Sequence, residues 1–176
     1  MSALALLCSL FTYQAWANDE LLEKLAGLDP HAHGTERHAA IRLLNHNLVV
    51  TKIFAAHLTG ASHGYTADNT EDTPALDALR ADLAAMDRWY LDYLETVAPP
   101  LLSELVPFVF TDGDKAMMSR QEMLLHVVTH GGYHRGEIGR MLSQISITPP
   151  WDTFAVHLHQ AEPSRRLQAG REPVGA

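Results

Sequence analysis

Over four long stretches of this chain, apolar residues recur every three to four positions, and that period dictates helices rather than strands. The first stretch carries Leu4, Leu7, Phe11, Gln14 and Asn18, then Leu21, Leu22 and Leu25, one amphipathic face from about Ser2 to Leu28. It stops before Asp29-Pro30, because a residue preceding proline is pushed out of helical space. The second runs from about Thr35, read as its cap, to Leu58, through Ile41, Leu44, Leu48, Val49, Ile53 and Ala56, and Gly60 closes it. Thr73-Pro74 opens the third, which passes through Leu76, Leu79, Leu83, Met86, Tyr90 and Leu94 to about Val97. A full S-x-x-E capping box, Ser119 to Glu122, starts the fourth, which continues to about Gln144.

Between the third and fourth stretches the period changes to two. Val106, Phe108 and Phe110 alternate, Thr111-Asp112-Gly113-Asp114 turns the chain, and Ala116 and Met118 alternate again. That pattern predicts a short β-hairpin. Beyond Gln144, a short helix is expected near Trp151 to Gln160, and residues 161–176 read as a flexible C-terminal tail. A length of 176 residues favours one domain, here residues 1–160. The expected fold class is all-α: an up-down four-helix bundle with a short β-hairpin before the last long helix.

Charge and cysteine content narrow the partners. With 13 basic against 21 acidic residues the formal net charge is −8, which disfavours nucleic acid. No stretch of 18 uninterrupted apolar residues occurs, so no membrane span is expected. Cys8 is the one cysteine; it lies in an apolar run and reads as an inert thiol in a reducing compartment, the cytoplasm. Met1 to Leu10 is apolar and Ala15-Trp16-Ala17 imitates a leader-peptidase site, but no lysine or arginine precedes Lys24. The apolar face also continues past Ala17, so the segment reads as part of the folded protein, with secretion and cleavage as the alternative.

The chemistry-bearing residues are histidines, of which there are 11. His126, His130 and His134 stand four apart on the fourth helix, along one slowly drifting face. Two imidazoles at that spacing can meet on one metal ion, and a third ligand then comes from a facing helix. His46, between the apolar flanks Leu44 and Leu48, is the candidate. A lone histidine on an apolar face is also an ordinary core residue satisfied by a backbone partner, and spacing alone leaves both readings open. His126 reads as pocket wall, support for a ligand, or core. His57 lies three turns from His46, too far to share an ion, while His31, His33, His38, His63, His157 and His159 read as solvated. Gly131, Gly132 and Gly136 inside a helix imply close approach by a ligand or by another helix. Glu137 reads as a surface or interface carboxylate, with orientation of a ligand histidine as the alternative.

The stretch from Leu124 to Glu137, with His130-Gly131-Gly132-Tyr133-His134-Arg135-Gly136-Glu137 at its centre, resembles the last-helix signature of the DinB-like, damage-inducible family of four-helix bundles. Leu44-Asn45-His46 is similar to the family's second-helix motif, and Tyr13 to Asn18 to its first-helix motif. The hairpin, and Pro149-Pro150 followed by Asp152, fit as well. Where the family commonly places an acidic-basic pair and a tryptophan after the second-helix histidine, this chain has Thr51, Lys52 and Phe54. The resemblance implies that His46, His130 and His134 are ligands of a divalent metal ion, nickel or zinc ahead of iron, manganese or copper. It also implies a homodimer, and some relatives transfer low-molecular-weight thiols.

A three-histidine set leaves a coordination position open, the mark of a catalytic rather than a structural ion. The leading expectation is therefore a metal-dependent thiol S-transferase or hydrolase acting on a small molecule. Glu137 and His126 are its candidate catalytic groups, and Tyr133 and Trp16 are core residues or pocket walls. The alternative is a non-enzymatic, stress-related metal-binding or interaction module.

Overall fold

A computed structural model describes residues 2–166. It consists of α1 (Ala3–Ala26), α2 (Gly34–Thr59), α3 (Leu76–Thr96), a 3-10 turn (Pro99–Ser103), strands β1 (Leu105–Val109) and β2 (Lys115–Ser119), then α4 (Arg120–Gln144) and α5 (Phe154–Ala161). Most of the described chain is helical, and the two antiparallel strands are the only sheet there. The hairpin register pairs Leu105 with Ser119 and Val109 with Lys115. No helix among the described residues is long and apolar enough to cross a membrane.

Local signals set most of the boundaries. The Ser119 hydroxyl accepts the Glu122 backbone N–H, while the Glu122 carboxylate accepts the Ser119 backbone N–H at 2.7 Å, so the capping box is complete. Gly60 ends α2 at φ 71°, a left-handed conformation that a β-carbon would disfavour. Two starts differ from the sequence expectation. Thr35 does not cap α2: a tight turn, with His33 N–H on the Asp29 carbonyl, begins the helix one residue earlier. Thr73-Pro74 lies ahead of α3, whose cap position is Ala75. The Arg42 guanidinium holds the carbonyls of Thr70, Glu71 and Asp72 against α2, and the chain becomes helical only after that tether. In the predicted tail, Ala161 closes α5 and Pro163–Arg165 forms a 3-10 turn; residues 167–176 lie outside the described residues.

Helix α1 packs on α3 and α4, and α2 packs on the same two helices. The ring order is therefore α1–α3–α2–α4. Ala15-Trp16-Ala17 falls in mid-helix, with Gln14, Ala17 and Asn18 buried on its inner face. The apolar core is in two parts. One gathers Phe11, Phe54, Tyr90, Leu94, Phe108 and Met123; the other gathers Leu25, Leu44, Leu79, Leu83, Ile138 and Leu142. Phe11 and Tyr90 stack with centroids 4.7 Å apart in the first. Cys8 is half-buried at its edge. Between the two parts runs a polar layer of Gln14, Asn18, Asn47, Asp87 and Arg135, all buried. The histidines of interest lie at the same level.

Candidate metal centre

Helices α2 and α4 face each other, and this pairing brings His46 against His130 and His134. Ring centroids lie 4.9 Å apart for His46 and His130, 4.8 Å for His46 and His134, and 4.6 Å for His130 and His134. One ring nitrogen from each lies within 4.8 Å of the other two. Among the described residues no other group of three metal-binding side chains comes together in this way.

The second nitrogens of two rings are held from behind. The Nδ1–H of His46 donates to the Asp68 carbonyl at 2.7 Å. The Nδ1–H of His134 donates to the Glu137 carboxylate at 2.5 Å. Each bond places the proton on Nδ1, so Nε2 of both rings presents a lone pair to the common centre. The His130 Nε2 points at the His46 Nε2, 3.1 Å away. Burial drives the His130 pKa down to about 3, and the neighbouring His134, His46 and His126 rings push it the same way. At neutral pH this ring is uncharged. Three imidazoles, convergent and partly shielded, are a donor set that fits a divalent transition metal, and imidazole alone does not select among zinc, nickel, iron and copper.

The loop of residues 61–75 supplies the Asp68 carbonyl because it is tied to α2 just ahead of His46, at Arg42 and Asn45. The Asn45 amide donates to the side chains of Asn69 and Thr70, at 2.6 and 2.5 Å. The Asn69 amide returns to the Arg42 carbonyl at 3.1 Å. A local polar run on the sequence is thus a bracket for one histidine.

A cavity of about 280 Å³ opens against His46 and His130. Phe54, Phe108 and Phe110 form its apolar side, His57 and His126 sit on its wall, and Asp68 and Asp112 stand at its rim. His126 packs its ring on Phe54, 4.5 Å between centroids, and burial lowers its pKa. It lies outside the converging group, 5.3 Å from the His130 ring. His57 is likewise on the wall, its pKa lowered by burial and then by His63. Glu137, read from sequence mainly as a surface carboxylate, is on the His134 ring instead, because the i,i+3 spacing carries it back over the same helical face.

Several other expectations are corrected. Tyr133 is 67% exposed and neither core nor cavity wall, although its ring edge meets His134. His157, read as solvated, is buried between Tyr13 and Trp16, with centroids 6.0 and 5.3 Å away. Of the three glycines, only Gly131 is closely approached: a β-carbon there would lie 3.1 Å from both the Arg135 guanidinium and the Gln14 amide oxygen. Nothing lies within 4 Å of such an atom at Gly136.

Sequence reasoning missed the buried polar layer behind the histidines. Arg135 donates to Asp152 at 2.7 Å and to Asn18 at 3.1 Å. Asp152 also accepts the Tyr13 hydroxyl, and Asn18 donates to both Asp87 oxygens at 3.0 and 3.2 Å. Burial raises the Asp87 pKa to about 6, against the lowering effects of Asn18 and Arg135. The signal was present only as polar residues on apolar faces, Asn18 after Phe11 and Asp87 between Leu83 and Tyr90.

The family model described as the DinB family matches residues 1–167. No curated protein and no solved structure matches the chain significantly.

Proposed function

This chain belongs to the DinB family, and on that premise we propose that His46, His130 and His134 hold one divalent ion, nickel or zinc, with a position open toward the adjoining cavity. The observation that carries the reading is the convergence of three ring nitrogens within 4.8 Å, two of them with their proton fixed on the far side. The reaction class it supports is a metal-dependent S-transfer or hydrolysis on a small molecule, with a low-molecular-weight thiol or water as nucleophile.

A divalent ion bound there supplies Lewis acidity, lowering the pKa of a water or thiol at neutral pH. The residues of the chain do the rest. Glu137 orients the His134 ring, and the Asp68 carbonyl does the same for His46. His126, uncharged and on the cavity wall, is the group placed to accept the proton that the nucleophile gives up. Phe54 and Phe108 keep water from one side of the site. The same reading takes the four long helices as one bundle, supported by the ring of helix pairings, but not the expected up-down one: α1 and α4 begin in the core part where α2 and α3 end, so α2 and α3 run the same way and the loop between them returns along α2. It also takes the protein as a homodimer, supported by exposed Leu6 and Leu125 beside one apolar groove.

Metal titration tests the proposal. The expected result is one zinc or nickel ion per chain, with affinity reduced at least a hundredfold in His46→Ala and in His130→Ala. Uptake that ignores both substitutions overturns it. In the cobalt-loaded protein the visible spectrum is expected to shift when a small thiol is added. An unchanged spectrum removes the thiol-transfer reading.

A further inference from the structure

The cavity beside the histidines is built unevenly, and the unevenness specifies a ligand. On one side Phe54, Phe108 and Phe110 follow one another, with centroids 5.8 Å apart for the first pair and 4.9 Å for the second. The second pair meets edge to face, at 71° between planes. Such a cluster presents both ring faces and ring edges, which is the environment a further aromatic ring prefers. The volume of about 280 Å³ equals the share of roughly nine water molecules, enough for a phenyl-sized group and a short polar head. On the rim stand the carboxylates of Asp68 and Asp112. Among the described residues no lysine or arginine lines the cavity.

We infer that this cavity takes a small aromatic group carried on an uncharged or cationic molecule, with the polar head turned to the three histidines, and that it disfavours anionic thiols and phosphate esters. The inference rests on the metal reading above, because the ion's open position anchors the head. An apolar ring leaves water for a site walled by Phe54 and Phe108, both buried, and desolvation favours it over a methyl group. An anionic tail finds no cation to pair with and meets two carboxylates, in a protein whose net charge is already −8. Because the Asp68 side chain is 69% exposed, solvent screens this repulsion, so it discriminates by a few-fold and weakens with salt. The aromatic wall is the larger determinant and is insensitive to salt.

Three hydroxamates separate the effects in the zinc-loaded protein, read through the methyl NMR signals of Val50 and Ile53 on the cavity wall. Benzohydroxamate is expected to bind at least about tenfold more tightly than acetohydroxamate. 4-Carboxybenzohydroxamate is expected to bind about fivefold more weakly than benzohydroxamate at low salt, a gap that narrows with salt and in Asp112→Asn. Phe110→Ala, at a hairpin residue 46% exposed, should shrink the preference for the phenyl probe and leave acetohydroxamate unchanged. Equal affinities for the phenyl and methyl probes, or tighter binding of the carboxylated one, overturn the inference while leaving the metal site intact. A protein that takes up neither zinc nor nickel overturns the metal reading and this inference with it.

Discussion

The Nε2 atoms of His46 and His130 lie 3.1 Å apart, although 84 residues separate them in the chain. With the His46 proton fixed on Nδ1 by the Asp68 carbonyl, its Nε2 can only accept. Without metal, the His130 Nε2–H must donate to it. An ion held as proposed would require that proton to leave or to move to the other nitrogen of His130. The pair is therefore complementary in two states, and the bracket of Arg42, Asn45 and Asn69 keeps His46 in place for both.

Glu137 fixes the tautomer of His134, so altering it should weaken the ion without removing a ligand. Glu137→Gln, which keeps an acceptor oxygen, is expected to lower metal affinity about tenfold, and Glu137→Ala up to about a hundredfold. Competition against a chelator of known strength measures both. If neither variant differs from the unaltered protein, the 2.5 Å contact has no part in metal binding.

Asp87 gives the fold a pH dependence of defined sign. Its folded-state pKa, about 6, lies above the ordinary carboxyl value of 3.8, so between these values the folded protein holds a proton that the unfolded chain has lost. Stability contributed by this group is greatest below pH 3.8 and falls as pH rises through 6. Asp87→Asn removes the dependence. Relative to the unaltered protein, the variant should gain on the order of 3 kcal/mol between pH 4 and pH 8, read as a difference in unfolding midpoints at the two values. A constant difference would assign Asp87 an unshifted pKa.

Gly131 and Gly136 predict opposite outcomes from one substitution. Alanine at 136 meets nothing within 4 Å and should stabilise α4 by about 1 kcal/mol through helix propensity. Alanine at 131 meets Arg135 and Gln14 at 3.1 Å, and the Arg135 guanidinium is held by Asp152 and Asn18 and cannot move aside cheaply. Gly131→Ala should therefore lower the unfolding temperature despite the same propensity gain. Two shifts of the same sign would show that the layer around Arg135 yields.

What the sequence revealed follows the range of the forces involved. Periodicity, the Ser119–Glu122 box, Gly60 and the hairpin alternation are local, and each reads within a few residues. The convergence of His46, His130 and His134 was legible because two of the three lie on one helical face. The fourfold spacing of His126 was equally visible and did not discriminate: that ring packs on Phe54 and stays outside the converging three. Arg135, Asn18, Asp87, Asp152 and Tyr13 belong to different elements, and nothing in the spacing of any one of them announces the others. His157 looked solvated for the same reason: its neighbours Tyr13 and Trp16 are distant in the chain.

The Asp152 carboxylate joins Tyr13 and Arg135, and the Tyr13 contact spans 139 residues. During synthesis, α1 to α4 can leave the ribosome and collapse, yet until Asp152 follows them Arg135 sits at the centre with no opposing carboxylate from α5's entry. A buried guanidinium in that state is strongly unfavourable. Completion of the interior thus waits for Asp152 to emerge, and a nascent chain stalled before it should remain loosely packed and open to proteases, however much of its helix has already formed.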